Sequence, residues 1–189
     1  MDIVNQIEKE VRAYIDEYKN NSEIKYDFWK EHIKFVYNES VILAKKYNAN
    51  QEIVKLGALL HDIALIKKVG TKADHHINGK IIAEEILKKY SYQEEKMERV
   101  LKCVYNHRNS KNATSIEELC VADADIIAHF DNIPMLFSLI YKGGNNVNLD
   151  DVRKWLKEYF EKDYTDLSEK TKKEFEEKYR LICSIVLNE

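Results

Sequence analysis

Residues 51–62 read QEIVKLGALLHD. Ile53, Leu56, Leu59 and Leu60 recur at helical spacing, so the segment is a helix whose apolar stripe faces a core. The stripe closes on His61 and Asp62, a polar pair placed at the buried end of that helix. Asp62 has two readings here. It is a cap for the next turn, or it is a carboxylate held inside for its chemistry.

Helical periodicity extends outward from this stretch in both directions. Residues 1–19 put Ile3, Ile7, Val11, Tyr14 and Ile15 on one face, and the polar run Asn20-Asn21-Ser22 ends the segment. A second helix is expected over 27–47. Residues 63–74 read as a loop turning at Gly70, with Asp74 as the cap of a helix over 75–90. Another is expected over 91–108, followed by the polar loop 109–114. Ser115 and Glu118 form a capping box for a helix reaching Phe130. Pro134 interrupts or starts an element, and residues 142–148, with Gly143-Gly144 and Asn145-Asn146, form the clearest linker. Two helices close the chain, over 149–162 and 168–187. No stretch alternates as a strand does. With only 5 glycines and 1 proline, the chain is ill-suited to a turn-rich sandwich or barrel. The expectation is an all-α, single-domain helical bundle. Residues 1–145 carry the site (core region 27–140), and 146–189 form an appended C-terminal helical pair of the same domain.

The chain has 189 residues, 44% of them hydrophobic, which suffices for one core. A net charge of −3 offers no basic field for nucleic acid, so no such partner is expected. The N-terminal MDIVNQIEKE lacks a cationic region followed by an apolar run, and no apolar stretch approaches the ~20 residues that cross a bilayer. A cytoplasmic protein with no membrane partner is expected. Cys103, Cys120 and Cys183 are widely spaced among apolar neighbours and read as buried free thiols.

The 6 histidines carry the chemistry. His32 lies in line with Val36, Leu43 and Tyr47. His75 lines up with Gly79, Ile82 and Ile86, and His107 with Val104 and Val100. Three helices thus turn an imidazole toward one interior. A single histidine on an apolar face is ordinarily a satisfied core residue. Several of them beside His61-Asp62 are another matter, because unpartnered imidazoles and a carboxylate cost about 1–3 kcal/mol apiece to bury. A shared divalent cation removes that cost, since neutral imidazole and carboxylate are its ligands. One more acid is needed from Val121-Ala122-Asp123-Ala124-Asp125-Ile126-Ile127. Helical geometry sets Asp123 among Ile116, Leu119, Cys120, Ile126, Ile127 and Phe130, and turns Asp125 nearly the opposite way. Burial alone nominates Asp123.

The order His32, His61-Asp62, then a late Ala-Asp resembles the HD-domain superfamily of metal-dependent phosphohydrolases, over roughly residues 27–140. Ala58-Leu59-Leu60-His61-Asp62-Ile63 is similar to the doublet context of that family. His75 followed by Gly79 resembles the H-x-x-x-G element of members that bind two metals, and His107 matches their next histidine. The family's distal aspartate stands in Ala-Asp-x-apolar. Ala124-Asp125-Ile126-Ile127 fits that pattern, so the resemblance selects Asp125 over Asp123.

The resemblance implies one or two divalent ions of the Mn, Fe or Mg type. His32, His61, Asp62 and Asp125 would hold the first, and His75 and His107 a second, with Asp62 shared. It implies hydrolysis of a phosphate ester or anhydride of a nucleotide or small phosphorylated metabolite by metal-activated hydroxide, with Asp62 also orienting the water. Departures bear on the substrate. Phe35 stands where many members carry arginine, and Ala64-Leu65 where many carry Gly-Lys. Lys67, Lys68 and Arg108 are the cations available to anchor a phosphate, with Lys68 and Arg108 the chosen pair. His76 and His129 have no place in the pattern and read as supporting or surface residues. Some relatives run di-iron oxygenase chemistry on the same ligands, and a non-catalytic signalling module is a third reading. The C-terminal pair is compatible with a homodimer.

Overall fold

The computed structural model describes residues 2–22, 26–133 and 148–187. Helix α1 (Ile3–Asn20) starts at Asp2, whose carboxylate accepts the Asn5 N–H at 2.9 Å. A π-helical turn, Trp29–Ile33, runs directly into α2 (Lys34–Tyr47), which ends at Asn48 in the left-handed conformation. Asn50 caps α3 (Gln51–Leu60) by accepting from Glu52 and Ile53 N–H. The short α4 (Ile63–Ile66) follows, then α5 (His75–Lys89), α6 (Glu94–Asn106), a 3-10 turn at Ser110–Asn112, α7 (Ile116–Asp131), α8 (Leu149–Asp166) and α9 (Glu169–Leu187). There is no strand among the described residues. The fold is all-α, as the sequence implies.

Three details differ from the sequence reading. Residues 63–74 were expected to be loop, yet Ile63–Ile66 is helical, because Ile63, Ala64 and Ile66 are drawn into the core. Asp74 does not cap α5. Its carboxylate accepts from Thr71 N–H and Oγ1 instead, closing the preceding turn. The segment over 91–108 begins later, at Glu94. Half of the capping box forms as expected, with Ser115 Oγ accepting the Glu118 N–H; the return bond goes one residue further, Glu118 accepting the Thr114 N–H at 3.0 Å. Pro134, residues 142–147 of the expected linker and the boundary at 145/146 lie outside the described residues. Asn148 caps α8 through Asp150 N–H.

Helix α3 is the centre of the bundle. Every residue from Leu56 to Leu60 is buried. α6 and α7 come so close that a Cβ on Gly57 would stand 2.7 Å from Cys103 Cβ on α6 and 3.1 Å from Val121 Cγ2 on α7. Gly57→Ala is therefore expected to destabilise the fold by about 1–3 kcal/mol, despite alanine's better helix propensity, and to lower the thermal midpoint by several degrees. An unchanged midpoint in a calorimetric scan would mean that α3 and α6 separate freely.

Helix α7 is covered on nearly all sides, and only Ile116, Leu119, His129 and Asp131 among its sixteen residues are less than fully buried. The C-terminal pair packs against it. Phe130 stacks on Phe160 at 5.0 Å and meets Phe175 at 5.2 Å, so α8 and α9 share the main core. Cys103 and Cys120 are buried and outside any disulfide; Cys183 is half-buried and likewise not in a disulfide. No helix among the described residues is long and apolar enough to cross a membrane.

Candidate metal centre

The polar cluster is assembled largely from helix ends. His61 closes α3, Asp62 opens α4, His75 opens α5 and His107 closes α6. Helix ends and turns leave carbonyls without backbone partners, and the rings supply them. His61 Nδ1 donates to Ala58 O at 2.8 Å, His75 Nδ1 to Lys72 O at 2.8 Å and His107 Nδ1 to Val104 O at 2.6 Å. Each bond commits a proton to Nδ1 and leaves Nε2 as the inward-facing nitrogen. His32 comes from the π-helical turn, whose wider geometry re-aims its ring. Gly79 belongs to the same construction. A Cβ there would press on Val104 Cγ1 at 3.3 Å and on the His61 carbonyl at 3.4 Å, so glycine lets α5 approach the site.

The inward nitrogens converge in pairs. His32 Nε2 and His61 Nε2 lie 3.0 Å apart, and His75 Nε2 and His107 Nε2 lie 2.9 Å apart. In the His75–His107 pair, where both Nδ1 protons are committed, two neutral rings would face each other lone pair to lone pair. Such a contact calls for a cation or a proton between them. Asp62 spans the two pairs. Its Oδ2 is 3.4 Å from His32 Nε2 and 3.6 Å from His61 Nε2, while its Oδ1 is 3.2 Å from His75 Nε2 and 3.8 Å from His107 Nε2. Asp125 Oδ1 adds to the first pair, at 3.1 Å from His32 and 3.7 Å from His61. His32/His61/Asp62 and Asp62/His75/His107 are each compact enough to hold a metal ion, as is His32/Asp125/His129. Imidazole and carboxylate in this mixture suit a divalent cation.

Electrostatics prepare the same state. Burial pushes the Asp62 carboxyl up, but His61, the hydrogen bond from His75 and His32 together hold it well below the usual carboxylate range. Burial likewise opposes ionisation of Asp125, and the His32 hydrogen bond and His129 overcome it. Burial pushes His61 down, and burial followed by His61 pushes His107 down to about 4. His75 moves the other way: burial disfavours its charge, but the bond to Asp62 raises it. Near neutral pH both acids are ionised, and His61 and His107 are free to ligate.

The cap reading of Asp62 fails, because its side chain makes no capping bond. Asp123 is wholly buried, as the helical face predicts, yet it serves a different purpose. It accepts from Ser110 Oγ at 2.6 Å, Ser168 N–H at 2.9 Å and Ser168 Oγ at 2.6 Å, tying the α8–α9 turn to the 3-10 turn. Asp125, not Asp123, faces the histidines.

Of the anchoring cations, Arg108 lies beside the cluster, and its charge disfavours protonation of His75 and His76. Lys68 turns toward α1. The turn after α4 puts it at φ 55°, and its ammonium donates to Asn21 O at 3.3 Å and lies over the Tyr18 ring. Lys67 covers the Tyr14 ring at 3.8 Å. Both lysines lie against α1.

Sequence reasoning missed three neighbours of the acids. His129 stacks on His32 at 5.6 Å, bonds Asp163 Oδ2 through Nδ1 at 2.8 Å and brings Nε2 to 3.8 Å from Asp125. Its position one helical turn after Asp125 was the available signal. Tyr26 and Tyr159 are the others. Burial raises both phenols, next Asp62 for Tyr26, and Asp163 and Asp125 for Tyr159. No spacing rule connects either tyrosine to the doublet.

A family model described as HD domain matches residues 29–129, more than half of the chain. An uncharacterized protein from Clostridium beijerinckii is 29% identical over 117 residues, which span 58% of this chain and 74% of that protein. Among solved structures, the crystal structure of an HD-superfamily hydrolase from Bacillus thuringiensis shares the fold with a TM-score of 0.70 at 19% identity, covering 97% of this chain and 94% of that one.

Proposed function

The chain belongs to the HD-domain family, and we propose that it is a metal-dependent phosphohydrolase cleaving a phosphate ester or anhydride of a nucleotide or small phosphorylated metabolite. The observation that carries this reading is the division of one carboxylate between two histidine pairs, with Asp62 Oδ2 toward His32 and His61 and Oδ1 toward His75 and His107. Such a division suits two divalent ions sharing a ligand. When bound, ions of this kind acidify water and polarise a phosphoryl oxygen. The Bacillus thuringiensis protein of like fold is described as a hydrolase, and the reading takes that reaction class for this chain.

The chain's own residues divide the remaining work. Asp62 and Asp125, both ionised, set the charge that a cation meets. The carbonyls of Ala58, Lys72 and Val104 hold three rings in the ligating tautomer. Burial of the cluster excludes bulk water, which strengthens each charge interaction within it. Arg108, at the edge, anchors a phosphate through the guanidinium nitrogens left after Nη1 bonds Ala73 O.

Metal analysis of the purified protein, followed by phosphate release from a panel of nucleotides and small phosphomonoesters, tests the reading. The expected result is bound transition metal, hydrolysis lost on chelation, and recovery on adding Mn²⁺. Oxygen consumption with iron bound and no phosphate released from any panel member would replace hydrolysis with oxygenase chemistry.

A further inference from the structure

A cleft of about 470 Å³ opens beside the histidine cluster, among His76, Tyr105, Arg108, Asn109, Lys162 and Asp166. It falls in the range of about 300–1,000 Å³ typical of small-molecule sites. Chain connectivity couples it to the centre, because His76 directly follows His75 and Arg108 directly follows His107. The His76 ring stands 5.9 Å from the His75 ring and 5.4 Å from that of Tyr105.

Three features describe what the cleft takes. It gathers cations: Arg108 and Lys162 line it, and Lys162 lies 2.8 Å from Asp166. The one carboxylate is engaged by Lys162 and leaves the Arg108 charge uncompensated within the cleft lining. Asp166 is largely buried and also accepts from Asn109 Nδ2 at 3.3 Å, so it is fixed in place and holds Lys162 at the rim. Finally, His76 Nδ1 is buried without any hydrogen-bond partner in the structure. An orphaned polar atom of this kind costs free energy and marks the wall of the cleft as incompletely satisfied.

We propose that this cleft binds a second phosphoryl group of the substrate, so that the enzyme acts on compounds carrying a di- or polyphosphate rather than on simple monoesters. The inference rests on the phosphohydrolase reading for the group that is cleaved, and on the cleft alone for the group that is not. It assigns Lys162 and Arg108 to binding and makes α8, part of the C-terminal pair, a wall of the substrate site. Lys162 is exposed and bonded only to Asp166, four residues on, so its replacement does not disturb the core.

The test is calorimetric titration of the metal-loaded protein with inorganic pyrophosphate and, separately, orthophosphate, with Mn²⁺ in excess so that every arm presents the ion complex. Wild-type protein is expected to bind pyrophosphate at least tenfold more tightly. Lys162→Ala and Arg108→Gln should each erode that advantage by about tenfold, the value of one charge-assisted contact, and Lys162→Glu should abolish it. Orthophosphate affinity should stay unchanged in both Lys162 variants. Equal affinities for the two anions, or variants indistinguishable from wild type, would overturn the proposal. If no phosphate compound is hydrolysed while this binding pattern holds, the reaction assigned above fails and the cleft assignment stands.

Discussion

Asp62→Ala is expected to lose both metal ions together and to reduce phosphate release by more than about 100-fold, with helix content unchanged. The magnitude follows from a lower bound. Losing a group that merely supports a ligand costs 10–100-fold in metal affinity or activity, and Asp62 touches both histidine pairs directly. The fold survives because the side chain makes no capping bond at the start of α4, and its neighbours His61 and His107 favour the neutral state when buried. Added metal stabilises a folded protein by about 2.7 kcal/mol at a hundred times its dissociation constant. Mn²⁺ should therefore raise the thermal midpoint of the wild type and leave that of Asp62→Ala in place. His107→Ala gives the contrast: it should weaken one ion more than the other, because the His107 Nε2 turns to Asp62 Oδ1 and His75 Nε2. Metal analysis of the two variants checks both statements. An Asp62→Ala protein with full metal content and full activity would remove the basis of the proposed function.

The doublet was legible because periodicity says where a helix is buried, and a polar pair at the buried end of α3 stands out against it. His32, His75 and His107 were legible for the same reason, each in line with residues that do pack in the core, such as Val36, Ile82 and Val104. Turns were less so. The π-helical turn at Trp29–Ile33 has no sequence signature, although it aims His32. The direction of Lys68 depends on a left-handed residue after a helix too short to show a period. Contacts between distant elements left no trace at all. His129 gains its place from Asp163, and the cleft gains Lys162, only because α8 packs back onto α7. A helix that reads as appended thus supplies walls of the site, and no pattern within α8 announces it.

Helix α7 poses the sharpest case, and it yields the second large effect. A helix exposed on one side shows its buried face in sequence, but α7 is packed nearly all round, so the burial that nominated Asp123 holds for Asp125 as well and does not pick the acid that faces the histidines. Partners choose. Asp123→Ala removes the acceptor of three hydrogen bonds at 2.6, 2.9 and 2.6 Å and leaves Ser110 and Ser168 with unpaired donors. Its expected cost is about 3–5 kcal/mol, a large fraction of the stability of an ordinary domain. The protein that remains folded should bind metal almost as wild type does, since no ligand is lost. Asp125→Ala should do the reverse. It deletes an anion 3.1 Å from His32, so metal affinity falls by more than about 100-fold, while the unfolding free energy of the metal-free protein changes far less than in Asp123→Ala. Denaturant unfolding of the metal-free proteins, paired with metal titration at a temperature where both variants are folded, reads the two effects separately. If Asp123→Ala lost metal and kept its stability, the two aspartates would exchange roles, and the hydrogen bonds to Ser110 and Ser168 would no longer account for Asp123.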